Sequence, residues 1–352
     1  MLEGDALKDA LGPVAIEDIS QRIAELARTL IEGRADFLFG AGMSAEADVP
    51  AGRAAALGLL RALFTDHVSV PDDELEKLLG LAPLEAIAEA VEYELANSRP
   101  SLAERISRIL QLDGPQPPLS EAHADFAAVA RLGGPIWIRR IFTTNWDDLL
   151  EQALGESAQR VTERNTPAYE KALLEGRTPI VYLHGRLDED FSVTETDIGD
   201  TLRLRKVNLI LLTRLFEARS FCLVGYSMSD PDLARIYRIY RDQFALRTEH
   251  EKLTYVVSPV ESSAQYRLLD KIWARRGARF IALTAREFFR HLRYAVQAEA
   301  SARGVEDLMR GYRWSSEKLA VKRDALKEVF DFKEDEDAYE LLRRLITVES
   351  GS

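Results

Sequence analysis

The chain has 352 residues, a formal net charge of -12 and 46% hydrophobic residues. That length suits one large α/β domain with insertions, and the acidic balance repels a polyanion at long range, so no direct nucleic-acid partner is expected. The one cysteine, Cys222, excludes an internal disulfide and a cysteine-based zinc site. It lies in the apolar run Phe221-Cys222-Leu223-Val224 and reads as a small core residue.

In chain order, Ile19, Ile23, Leu26, Ala27 and Leu30 recur at helical spacing and predict a helix over 16–31. A short buried strand, Asp36-Phe37-Leu38-Phe39, follows and runs into Gly40-Ala41-Gly42. From Arg53 to Leu132 the patterns are helical, broken at Pro71, Pro83, Pro100 and Gly114–Pro118. Strands are expected at 136–142, 178–183, 221–224, 253–258 and 278–283, with helical patterns at 233–244 and 262–276 between them. Alternation of this kind implies a parallel sheet covered on both faces. The expectation is therefore a Rossmann-like, doubly wound α/β sheet over residues 1–300. It would carry a helical insertion at about 53–133 and a charged helical appendage at 301–352. No apolar run approaches the roughly 20 residues of a membrane span. The first residues, Met1-Leu2-Glu3-Gly4-Asp5, lack the basic-then-apolar order of a signal peptide. A cytoplasmic protein without a membrane anchor is expected.

Four strand-to-loop junctions carry the candidate chemistry. Gly40-Ala41-Gly42-Met43-Ser44 is small where a backbone would approach a diphosphate; a tight turn with no ligand would look the same. In Thr143-Thr144-Asn145-Trp146-Asp147, Asn145 can orient a hydroxyl or a water, and Asp147 can accept from an amide. Both can equally cap the next helix. In Leu183-His184-Gly185, His184 stands at a strand end, where it can act as a general base or simply sit on a loop. Gly225-Tyr226-Ser227-Met228-Ser229-Asp230-Pro231 joins a close-approach glycine to a strong helix start.

Taken together, these segments resemble the sirtuins. Gly-Ala-Gly-x-Ser with Pro50 and Arg53 downstream is similar to the sirtuin phosphate loop. Thr-Thr-Asn-Trp-Asp is similar to Thr-Gln-Asn-Ile-Asp, with Thr144 in place of Gln and Trp146 in place of Ile. Leu-His-Gly matches directly, and the Gly225–Ser227 segment resembles the loop holding the adenosine half of NAD. Ser258 stands where sirtuins often carry an adenosine-binding Asn. The Gly-Tyr-Ser-x-Ser-Asp-Pro loop and Thr194-Glu195-Thr196-Asp197 resemble the branch found in bacterial anti-phage defence.

The resemblance implies NAD as substrate, no metal, and cleavage of the nicotinamide–ribose bond to ADP-ribose and nicotinamide. Gly40, Ala41, Gly42, Ser44, Pro50, Arg53, Thr144, Gly225, Ser227 and Ser258 would bind it. Asn145, Asp147 and His184 would be catalytic. It further implies a homo-oligomer gated by a partner such as a HerA-type ATPase or a short Argonaute. A deacylase, an ADP-ribosyltransferase or a silent nucleotide sensor would share these loops. The single cysteine departs from the four-cysteine zinc ribbon general in protein-deacylating sirtuins. It therefore counts against the deacylase.

Overall fold

Seven strands form one sheet in the order β3-β4-β2-β1-β5-β6-β7, and every pair in it is parallel. The structure, a computed structural model, describes residues 11, 13–33, 35–50, 52–64, 70–96, 98–114, 117–133, 137–189, 191–200, 205–217, 220–226 and 253–303. Ser227, the helical pattern at 233–244 and the appendage beyond residue 303 lie outside them.

The strands are β1 (Ala35–Phe39), β2 (Ile138–Thr143), β3 (Ala158–Val161), β4 (Thr178–Tyr182), β5 (Ser220–Val224), β6 (Leu253–Val257) and β7 (Ala278–Ile281). The helices, in chain order, are α1 (Pro13–Ile31), α2 (Ala41–Ser44), α3 (Gly52–Phe64), α4 (Asp72–Leu78), α5 (Leu84–Glu94), α6 (Arg99–Ile109) and α7 (Glu121–Gly133). They continue as α8 (Leu149–Leu154), α9 (Pro167–Leu174), α10 (Glu195–Asp200), α11 (Lys206–Glu217), α12 (Ser263–Arg275) and α13 (Ala285–Arg303).

Side chains alternate across a strand, and β1 shows how that builds two covered faces. Phe37 and Phe39 project to one side, where Phe126 of α7 and Phe289 of α13 pack on them at ring separations of 4.9–6.2 Å. Asp36 projects to the other side and accepts a 2.9 Å hydrogen bond from Arg214 Nε of α11. Helices therefore lie on both faces, and the sheet is doubly wound and Rossmann-like. Burial raises the Asp36 carboxyl above its ordinary range, and Arg214 opposes that shift.

The helical stretch after β1 divides in two. Helices α3–α6 enclose a second core of their own, built on Ala55, Leu59, Leu60, Leu75, Ile87, Val91, Leu102 and Ile106. This core also takes in Leu149, Phe191 and Val193 from loops and helices that follow β2 and β4. Helix α7 belongs to the main core instead, through Ala122, Phe126, Ala127 and Val129. The module from 52 to 110 thus rests on the carboxyl ends of β2 and β4.

The strand order changes direction between β1 and β5. β1 leads through the helical module to β2 on one side, and β5 returns to its other side. Open α/β sheets place their ligand crevices at the carboxyl ends of strands flanking such a point.

Candidate functional site

A cleft of about 550 Å³ opens at that switch point, within the usual range for small-molecule sites. One wall comes from the loops after β1 and β5, through Gly40, Ala41, Gly42, Ser44, Gly225 and Tyr226. The floor carries Thr144, Asn145, Trp146, Asp147 and His184. The opposite wall is the helical module, with Val49, Ala56, Leu79, Leu84 and Leu110, completed by Ser192 and Val193.

The glycines have a packing reason of their own. Gly42 N–H donates to Gly225 O at 2.8 Å, and Gly225 N–H donates to Val257 O at 3.1 Å. A Cβ on Gly40 would stand 2.7 Å from Gly225 O, and one on Gly42 would stand 2.6 Å from Gly225 Cα. One on Gly225, whose φ is +63°, would stand 2.4 Å from Met43 N. The loops after β1 and β5 approach backbone to backbone, and only glycine permits it. The helix after the first loop is a single turn, α2, followed by a 3₁₀ turn at Ala45–Ala47 that ends on Asp48 with φ 60°.

Behind this wall a hydrogen-bond chain runs in one direction. Asn145 Nδ2 donates to Gly40 O at 3.1 Å and to Ser44 Oγ at 2.8 Å. Ser44 Oγ donates to Asp147 Oδ2 at 2.7 Å, and Asp147 Oδ1 accepts Leu149 N–H at 3.1 Å. Gly40 O can only accept, so the Asn145 amide orientation is determined by its neighbours. Both amide hydrogens are committed, and among the described residues nothing donates to Asn145 Oδ1. That oxygen is an acceptor left for the cleft.

Ser44, Asn145 and Asp147 are all buried, at 2%, 8% and 7% exposure. Burial pushes the Asp147 carboxyl up, while the Ser44 hydroxyl and the Leu149 N–H pull it down. Asp147 Oδ1 accepts the first N–H of α8, that of Leu149, but the N-cap position is Asp148, which makes no side-chain cap bond. Below Asp147, the fully buried Tyr182 hydroxyl donates within reach of Glu151 Oε1 at 2.7 Å and Asp147 O at 3.2 Å.

His184 lies two residues beyond the end of β4, and Leu183 N–H donates to Thr143 O at 2.9 Å, which places the two strand ends side by side. The ring is half-buried on the cleft, and the His184 carbonyl accepts Ser192 N–H at 2.8 Å. Thr144 is anchored by its N–H to Phe39 O at 3.1 Å. Pro50 and Arg53 stand at the cleft lip, and exposed Arg53 pairs with Glu76. Ser258 does not line the cleft; its N–H donates to Ile281 O at 3.2 Å.

Sequence reasoning did not single out Ser192, Val193 and Tyr226 as cleft residues. The signal for the first two was present in Thr194-x-x-Asp197. Thr194 N–H donates to Asp197 Oδ2 at 2.9 Å, and Asp197 N–H donates to Thr194 Oγ1 at 3.2 Å. This reciprocal cap starts α10 and fixes the two residues before it.

Residues 139–281 match the family model described as a SIR2-like domain. That segment is SIR2-like. The matched segment contains Asn145, Asp147, His184 and Gly225 and leaves out the loop after β1. A solved Sir2 homologue in complex with NAD is 18% identical, with a TM-score of 0.44, covering 77% of this chain and 94% of that one. Sir2Af2 bound to a myristoylated histone peptide is 14% identical, with a TM-score of 0.42, covering 80% of this chain and 99% of that one. No curated protein matches the chain. Among the described residues no helix is long and apolar enough to cross a membrane, and no group of three or more His, Cys, Asp and Glu is placed to hold a metal.

Proposed function

We propose that this sirtuin-like protein binds NAD in the cleft and hydrolyses its nicotinamide–ribose bond. The observation that carries the reading is the Asn145–Ser44–Asp147 chain, which leaves one oriented acceptor, Asn145 Oδ1, on the floor that also carries His184. The backbone of Gly40–Gly42 and Gly225 lies against the diphosphate, and Ser227 serves the adenosine half. Asp147 accepts from the nicotinamide carboxamide, for which its oxygens retain spare lone pairs. Arg53 and Pro50 face the ribose from the lip.

As the C–N bond lengthens, nicotinamide leaves with the bonding electron pair and positive charge grows on the sugar. Asn145 Oδ1 orients the attacking water or a ribose hydroxyl, and His184 takes the proton. The products are ADP-ribose, nicotinamide and a proton. Water is the acceptor because the chain's single cysteine, Cys222, lies buried in β5 and no zinc ribbon can be built to frame an acyl-peptide groove. On the resemblance to the defence branch, the protein is a cytoplasmic effector that depletes NAD. It acts as a homo-oligomer held quiet until a HerA-type ATPase or short Argonaute partner engages it.

The test is Asn145→Ala and His184→Ala. Each should keep the fold and nearly abolish nicotinamide release, His184→Ala by roughly a hundredfold to ten-thousandfold, the usual span for loss of a general base. Full activity in either variant overturns the assignment.

A further inference from the structure

We infer that Arg99 of the helical module is a positioning residue, which by gripping Asp197 fixes the 191–194 wall of the cleft and, through it, the backbone of His184. The kinetic part of this inference rests on the proposed NAD cleavage; the mechanical part does not.

Arg99 sits in the first turn of α6, behind the N-cap Ser98 and beside Pro100. Its guanidinium makes a fork on Asp197, with Nη1 to Oδ2 at 2.8 Å and Nη2 to Oδ1 at 3.1 Å. Its Nε faces Glu92 Oε1 at 3.0 Å, and its face lies 5.3 Å from the centre of the Phe191 ring. One side chain therefore ties α5, α6, Phe191 and the α10 cap together.

Asp197 passes the constraint on. Its Oδ2 accepts the N–H groups of Val193 at 2.8 Å and Thr194 at 2.9 Å. Ser192, next in line, donates its N–H to His184 O at 2.8 Å and its hydroxyl faces Arg205, which also donates to Leu183 O at 3.3 Å. Phe191 packs edge-on against Trp146, 6.5 Å away, which neighbours Asn145 on the cleft floor. A bidentate arginine fork fixes angle as well as distance, so lysine does not replace it. The Arg99–Asp197 pair is half-sheltered, with side-chain exposures of 35% and 20%, unlike the open pair Arg61–Asp72 at 52% and 75%.

The grip acts on the wall opposite the glycine loops, so its loss should affect the reacting end more than the binding of the diphosphate. The experiment compares Arg99→Ala, Arg99→Lys and the surface control Arg61→Ala in the full chain. It measures amide hydrogen exchange over 184–194, thermal midpoint, and kcat and KM for NAD. Arg99→Ala should raise exchange over 184–194 at least tenfold and lower kcat at least tenfold, with KM changed less than threefold. Arg99→Lys should fall between, and Arg61→Ala should match the wild type. Unchanged exchange in both Arg99 variants overturns the grip, and faster exchange with unchanged kcat overturns the positioning of His184. If the wild type cleaves no NAD while Arg99→Ala exchanges faster, the functional reading fails and the grip stands. If Arg99→Ala does not fold, Arg99→Lys carries the same comparison.

Discussion

Gly225→Ala separates a glycine that admits a close backbone approach from one that only supplies a turn. Gly277 and Gly225 both have positive φ, +76° and +63°, but a Cβ on Gly277 meets nothing within 4 Å. Alanine there pays only the left-handed backbone penalty, about 1–2 kcal/mol. On Gly225 the same atom would come within 2.4 Å of Met43 N and 2.5 Å of Gly42 C, both main-chain atoms that cannot rotate away. Overpacking adds about 1–3 kcal/mol. Separating the loops also weakens the 2.8 Å bond from Gly42 N–H to Gly225 O, a further loss of about 1 kcal/mol. Chemical denaturation should therefore show Gly225→Ala less stable than Gly277→Ala by about 2–4 kcal/mol. Nicotinamide release should fall in Gly225→Ala alone, because that substitution moves the loop carrying Ser44. Equal stability and equal activity in the two variants would refute the argument that the loops after β1 and β5 are held in register by glycine.

Three other outcomes follow from the structure. Ser44→Ala removes the link between Asn145 and Asp147 and leaves buried polar groups without their partner, so a loss of about 1–3 kcal/mol is expected, with nicotinamide release reduced; unchanged melting and kinetics would show that the chain orients nothing. His123 is fully buried, and burial depresses its pKa to about 4 from 6.5. The unfolded chain therefore takes up this proton first, so the contribution is intact above pH 6.5 and lost as pH falls towards 4, by about 3 kcal/mol. Denaturation of His123→Gln across that window should show a shallower acid slope than the wild type, and parallel slopes would contradict it. Deletion of the residues after Ala300 should reduce oligomer size in light scattering while the catalytic domain still folds; a full-length monomer, or an oligomer unaffected by the deletion, would contradict the proposed assembly.

Most of the sheet was legible because its strands are short apolar runs that end in Gly, Asn or His at the cleft. The edge strand β3 was not. Ala158-Gln159-Arg160-Val161 has two apolar residues, and Arg160 spends its guanidinium on Glu151 at 2.9–3.1 Å, an exposed-edge solution that reads as loop. Helix α8 begins only at Leu149, and the residues after β2 that precede it hold the cleft instead, with the Asn145 and Asp147 side chains engaged with Ser44. The strand-end placement of Gly40, Asn145 and His184 was legible. The reason for the glycines was not, since Gly42 and Gly225 meet only when β1 and β5 pair. The 191–194 wall was equally hidden, because its position depends on Arg99, which is remote in sequence and belongs to the helical module.

Hydrolysis of NAD is decided by incubating the purified full chain with NAD and no acyl peptide, alone and with candidate ATPase or Argonaute partners, and quantifying products. Nicotinamide and ADP-ribose should form in equal amounts. NAD recovered intact under both conditions would contradict it.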